Sequence, residues 1–250
     1  MTPLVAVAHG SRDPRAAAVA EALLHRVRLA RPGLDVRVSY LDHVRPALTE
    51  ALAPLAEAVV VPLLLTAAYH SKVDIPGALA GIGARVEVSP TLGPDPLLTA
   101  ALERRLAEAG TAVGDPGTAV VLVSAGSSDP TANTTVRRIA RDWARARPWW
   151  AVTTAFASAS GPRPAEAVAM LRAAGAPRVV VAPYLLAPGF FADKVAREAL
   201  AAGADLVADS LGPAPELVRI VLDRYDAAAA AAQSMSQRTG LSVSCVPSGR

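Results

Sequence analysis

The sequence predicts an α/β protein built as two duplicated lobes, each a small parallel sheet flanked by helices. Three observations carry that reading. Residues 4–8 (LVAVA) and 59–65 (VVVPLLL) are apolar without alternation, the pattern of strands covered on both faces by helices. Stretches with helical apolar spacing separate such runs, as in parallel βα units. The pattern also repeats: His9 and Ala125, like Asp13 and Asp129, stand 116 residues apart (125 − 9 and 129 − 13).

In chain order, strand 4–8 runs straight into His9-Gly10-Ser11. Asp13-Pro14 then opens a helix, with Asp as N-cap, Pro at the first helical position, and Ala16, Val19, Leu23 and Val27 as its buried stripe. Residues 34–40 read as a second strand, 45–53 as a short helix and 59–65 as the third strand. A short loop carrying His70 leads to a helix over 71–81, where Ser71 and Asp74 fit a capping box. A short strand at 85–88, a turn at 91–96 (TLGPDP) and an amphipathic helix at 97–109 complete the half. After a linker at 114–117, strand 120–124 precedes Ala125-Gly126-Ser127, and Asp129-Pro130 opens a helix. Residues 179–186 (VVVAPYLL) repeat the third strand, and 210–215 (SLGPAP) repeat the turn. The expected lobes are therefore residues 1–112 and 117–226. From 227 to 250 an alanine run that can extend the last helix gives way to a Ser/Gln/Thr/Gly-rich tail, expected to be mobile.

Bulk properties narrow the function. Of the 250 residues 52% are hydrophobic, enough for a large core. Lys and Arg number 25 against 22 Asp and Glu, a net charge of +3. That excess suits anionic small molecules and is far from the basic stripe of a nucleic-acid binder. No apolar run reaches membrane-spanning length, and the first residues lack a signal-peptide pattern. The single cysteine, Cys245, excludes an internal disulfide and a cysteine-rich metal site. A soluble, monomeric cytoplasmic protein with no organic cofactor is expected.

His9 and His70 both follow strands, at the carboxyl ends where open α/β sheets bind ligands. In a doubly wound order 2-1-3-4, strands one and three are neighbours, about 4.8 Å apart. Two imidazoles there can hold one divalent ion in an under-coordinated state, from which it can be handed on. The second half has neither: Ala125 replaces His9, and aligning Pro62 with Pro183 puts Phe191 opposite His70. The alternative for each histidine is hydrogen bonding within its loop. His25, four residues after Glu21, reads as one partner of a solvated pair, and His43 as a structural or rim residue. Ser11 lacks a nucleophile elbow and reads as a loop or cap hydrogen bonder. Gly81-Ile82-Gly83 lacks the third glycine of a dinucleotide loop. Ala8 stands where a histidine phosphatase has arginine.

The segment HGSRDPR (residues 9–15), the stretch VVVPLLLTAAYHSKVDIP (residues 59–76) and the duplicated halves together resemble the class II tetrapyrrole chelatases, in their long two-lobed form, over about residues 1–226. The resemblance implies ATP-independent insertion of a divalent metal into sirohydrochlorin. Fe²⁺ is placed first, giving sirohaem, and Co²⁺ is the alternative, toward cobalamin. His9 and His70 are then metal ligands and proton acceptors, and the second lobe is degenerate. A non-catalytic metal or tetrapyrrole carrier is the competing class.

Metallation removes two pyrrole protons while a metal enters the same four nitrogens, so histidines beneath the ring can serve both needs. The substrate's carboxylates need cationic or N–H partners. Arg12 and Lys72, beside the two histidines, are the expected contacts, with Ser11 alongside; solvated surface charge is the other reading of the two cations. Phe190 and Phe191 are expected either to wall the cleft and press on the ring, or to pack between the lobes.

Overall fold

A computed structural model describes residues 1–67 and 74–241. The first half contains β1 (Leu4–Ala8), α1 (Pro14–Ala30), β2 (Val36–Tyr40), α2 (Leu48–Leu52), β3 (Glu57–Pro62), α3 (Ile75–Leu79), β4 (Arg85–Val88) and α4 (Pro96–Glu108). The second contains β5 (Thr118–Ser124), α5 (Pro130–Ala146), β6 (Ala151–Phe156), α6 (Pro164–Ala173), β7 (Arg178–Tyr184), α7 (Phe190–Ala201), β8 (Leu206–Val207) and α8 (Pro215–Leu241). The strands form two parallel sheets, ordered β2-β1-β3-β4 and β6-β5-β7-β8. β1 and β3 are thus neighbours, in register from Leu4 opposite Val59 to Val7 opposite Pro62.

The helix starts follow one local rule. Asp13, Asp95 and Asp129 each accept a hydrogen bond from the amide two residues on, and a proline occupies the first helical position each time. The carboxylate satisfies an amide that has no intrahelical partner, and proline lacks the one it would otherwise leave open.

The unbroken apolar strands are buried on both faces. Leu4 and Ala6 of β1, with Val59 and Val61 of β3, face a central core. Val5, Val7 and Val60 face the other way, onto Leu48, Leu52 and Ile75. In the second sheet Val120 and Leu122 join that same central core, while Val121 and Val123 face Val168 and Val195. One apolar core therefore runs through both lobes.

The closing helices explain this continuity. α8 packs on α1, β3 and β4 of the first sheet, whereas α4 packs on β7 of the second. Polar contacts fix the exchange: the Tyr225 hydroxyl donates to Thr2 O at 2.6 Å, and Arg224 donates to Thr91 O and Leu92 O at 3.0 and 3.1 Å. Arg31 pairs with Asp226, and Arg104 Nε lies 3.2 Å from Glu216. The expected division into 1–112 and 117–226 separates the sheets but not the helices that cover them.

Other elements differ from expectation at their ends. The short helix begins at Leu48 rather than 45, because the residue before Pro46 is disfavoured in helical conformation; Glu50 caps the Ala47 amide at 2.8 Å. β3 ends at Pro62; the Leu63 amide still donates to Val7 O, and Leu64 O and Leu65 O accept from the Leu92 amide and the Tyr184 hydroxyl. α3 begins at Ile75 rather than 71; Ser71, one half of the expected capping box with Asp74, lies outside the described residues. The stretch from 227, expected to be mobile, begins as helix: α8 continues to Leu241 and Ala228 is buried in the central core. Alanine's high helix propensity outweighs the low apolar content that suggested a tail. Cys245 lies outside the described residues. Among them, no helix is long and apolar enough to cross a membrane.

Candidate functional site

The loops after β1, β3, β5 and β7 enclose one cleft of about 720 Å³, walled by residues of both lobes. Its first wall is built by the turn after β1. Gly10 has φ +89, and a Cβ there would lie 1.8 Å from Asp42 O, so only glycine lets this turn rest on the β2–α2 loop. The Asp42 amide in return donates to His9 O at 3.0 Å. These two contacts hold the backbone of exposed His9 at the cleft. The opposite wall repeats the design: Gly126 has φ +85, its Cβ would meet Ser158 O at 2.0 Å, and Ala125 stands where His9 does.

Ser11 Oγ accepts from the Asp13 amide at 3.0 Å, as Ser127 Oγ does from Asp129. This is the expected loop role, and Ser11 also lines the cleft. Arg12 lines the cleft, is exposed and has no ion-pair partner among the described residues. Asp13 is held below the ordinary carboxylate range by hydrogen bonds from the Arg15 side chain and amide. Arg15 also reaches Asp193 of α7 at 2.6 Å, joining the two lobes at the rim.

Phe190 and Phe191 open α7 with ring centroids 5.6 Å apart and line the cleft. Phe190 is 72% exposed and Phe191 39%. His43 lies in the cleft wall with φ +62, a left-handed backbone uncommon for histidine, and its Nε2 is 3.2 Å from Asp42 Oδ2. The expected His25–Glu21 pair does not form; Glu21 Oε2 lies 4.0 Å from Arg28, and His25 is exposed.

His70 and Lys72 lie outside the described residues. The last described residues before them, Leu63 to Thr66, line the cleft, and the Leu63 amide donates to Val7 O at 2.8 Å. Two further residues escaped the sequence reading. Asn133, buried in α5, clamps Ser127 by accepting from its amide at 3.0 Å and donating to its carbonyl at 2.7 Å. Tyr184, at the end of β7, donates across the lobes to Leu65 O at 2.9 Å. Neither carries a motif. Asn133 reads as an ordinary helix residue, and Tyr184 as part of an apolar strand.

Comparison with known proteins agrees with the two-lobed fold. The sirohydrochlorin ferrochelatase of Bacillus subtilis (strain 168) is 29% identical over 203 residues, 77% of each chain. The sirohydrochlorin cobaltochelatase of Priestia megaterium is 28% identical over 201 residues, 76% of this chain; the chain spans 65% of that relative's length. A solved structure of SirB from Bacillus subtilis with Fe³⁺ superposes with a TM-score of 0.81 at 26% identity, covering 94% of this chain and 98% of the other. The CbiX family model matches twice, at residues 3–109 and 119–228, once for each lobe; the chain belongs to the CbiX family.

Proposed function

We propose that the chain is a sirohydrochlorin chelatase that inserts a divalent metal into the macrocycle without ATP. The observation that carries this is the asymmetric cleft. His9 is held at the end of β1, the neighbouring β3 leads toward His70, and the duplicated wall opposite has Ala125 and Phe191 at the matching positions. Relatives named for sirohydrochlorin chelation, among them one for iron and one for cobalt, support the substrate class.

The reaction exchanges two pyrrole N–H protons for one M²⁺. His9 and His70 hold the ion below the ring and take up protons as it leaves them, a task for which neutral imidazole is suited. Arg12 and Lys72 pair with substrate carboxylates, and Ser11 donates a hydrogen bond to one. Phe190 and Phe191 cover the ring from the other lobe, where an exposed aromatic pair gains burial only when substrate is present. Fe²⁺ is the favoured metal; Co²⁺ is the second reading, supported by the cobalt-named relative. The protein acts as a cytoplasmic monomer.

The test is anaerobic metallation of sirohydrochlorin with Fe²⁺, Co²⁺ or Ni²⁺, followed by visible absorption. His9→Ala and His70→Ala should each lose at least about 10²-fold in rate, and the double variant little more, because both act on one ion. Near wild-type turnover in either single variant refutes the shared-ion mechanism.

A further inference from the structure

The two lobes correspond residue for residue along their first helix and the strand after it, with a shift of 116 (129 − 13). α1 and α5 start from Asp13 and Asp129, and Leu4 pairs with Val36 as Val120 pairs with Val152. The second lobe differs along the outer side of this helix–strand pair. A groove of about 410 Å³ runs between α5 and β6, lined by Arg137, Ala140, Arg141, Val152 and Thr154 among others. It shares no lining residue with the cleft between the lobes.

Ala140 makes the room. Its counterpart in α1, Leu24, is fully buried, and the shorter side chain leaves the space a leucine would take. The charge changes too: where α1 has Glu21 and His25, α5 has Arg137 and Arg141, one turn apart on one helix face. Arg137 is held in place, 4.9 Å from the Phe156 ring centroid and donating to Ser160 Oγ and Gly161 O at 3.2 Å each. Neither arginine pairs with a carboxylate among the described residues. Thr154 is 8% exposed, and its hydroxyl bonds to no protein group among the described residues, whereas Val38 stands at the matching position of the first lobe. A hydroxyl so placed is costly unless a ligand or solvent bonds it.

We propose that this groove is a second ligand site, which takes a small organic phosphomonoester. The phosphate head carries about −1.5 to −2 charge and three acceptor oxygens. The two guanidiniums and the Thr154 hydroxyl answer that head, and Ala140 and Val152 form the floor for the organic part. The groove's volume falls within the range of small-molecule sites, roughly 300–1,000 Å³. The proposal is independent of the chelatase reading, because the groove lies outside the cleft.

The experiment is calorimetric titration of the full-length protein with phenyl phosphate, inorganic phosphate and benzoate at constant ionic strength, with melting curves for each variant. Arg141→Gln should bind phenyl phosphate about 10–100-fold more weakly, the loss of one charge-assisted hydrogen bond. Ala140→Leu keeps both arginines but refills the groove, and should lose at least as much. Thr154→Val should weaken binding about 10-fold and melt no lower than wild type, since it removes a hydroxyl that the protein itself leaves unbonded. Arg12→Ala, which alters only the cleft, should bind as wild type. Benzoate, with one charge and two oxygens, and inorganic phosphate, with no apolar part, should both bind more weakly than phenyl phosphate. Wild-type affinity in folded Arg141→Gln or Ala140→Leu overturns the proposal, as does a loss confined to Arg12→Ala, which would put the anion in the cleft. Benzoate binding as tightly as phenyl phosphate refutes the phosphate head, and inorganic phosphate binding as tightly refutes the organic ligand in favour of the free ion.

Discussion

Replacing Gly10 by alanine tests whether the turn after β1 serves His9. At φ +89 an L side chain pays about 1–2 kcal/mol for left-handed backbone. The new Cβ would also lie 1.8 Å from Asp42 O, a distance real Cβ atoms do not tolerate below 3.0 Å. The turn or the Asp42 loop must therefore move by at least 1.2 Å (3.0 − 1.8), stretching the bond from the Asp42 amide to His9 O. Strain and bond loss together come to at least about 2 kcal/mol, or about 4–8 °C in Tm for a chain of this size. A misplacement of about 1 Å at a reacting group costs on the order of 10²-fold. The second lobe supplies a control, since Gly126→Ala meets the same strain (φ +85, 2.0 Å to Ser158 O) beside Ala125, which has no ligand to displace. Both variants should lose similar stability in thermal melts. Only Gly10→Ala should lose Co²⁺ affinity and metallation rate per folded molecule by about 10²-fold. Equal metal-binding losses in the two variants, or wild-type turnover in Gly10→Ala, would refute the claim that this glycine exists to place His9.

Two further outcomes are expected. Truncation after Asp226 should lower Tm by about 2–4 °C, because it removes buried Ala228 and shortens α8 where it covers the first lobe; a buried methyl group is worth about 0.8 kcal/mol, and an unchanged melt would show that this end of α8 does not dock. Alkaline pH should destabilise the fold: burial, with a smaller contribution from Asp95, raises the Tyr184 pKa above its ordinary 10.0, so the folded state holds that proton more tightly. The stability from this group is complete below about pH 10 and is lost as pH rises further. Tm measured from neutral to alkaline pH should fall less steeply in Tyr184→Phe, the residual slope belonging to Tyr40 and Tyr225, also raised by burial; identical slopes would contradict this.

What the sequence revealed was local. The runs around Val5, Val60 and Val121 have one physical meaning, burial on both faces, and the Asp-Pro pairs at 13 and 129 announce helix starts through a single side chain and a single ring; the same pair at 95, read as part of a turn, does so too. The repeat required only comparison of the chain with itself, and it directed attention to His9 by exposing Ala125. The exchange of α4 and α8 was not legible, because an amphipathic stripe states that a helix needs an apolar partner without stating which sheet provides it. The same limit hid Tyr184. Among the valines of β7 a tyrosine counts as one more large apolar residue, and only the position of Leu65 in the other lobe gives its hydroxyl a purpose. Ala228 failed for the opposite reason: composition underrated a residue whose contribution is helix formation and a small buried face.

The asymmetry between the lobes has a physical basis in that exchange. A histidine or an alanine can stand at this position with little change in packing, since Ala125 occupies the same turn as His9 with the same glycine behind it. Loss of a helix or sheet is different, because α8 closes the first lobe and α4 lies on the second, and the central core draws on Leu4 and Val59 as well as Val120 and Val180. The residue at the end of β1 or β5 can therefore vary more freely than the helices and strands that share the core. Phe190 and Tyr184 illustrate the two extremes of the second lobe's wall: one stands 72% exposed at the rim, and the other, buried, donates its hydroxyl to Leu65 O of the first lobe.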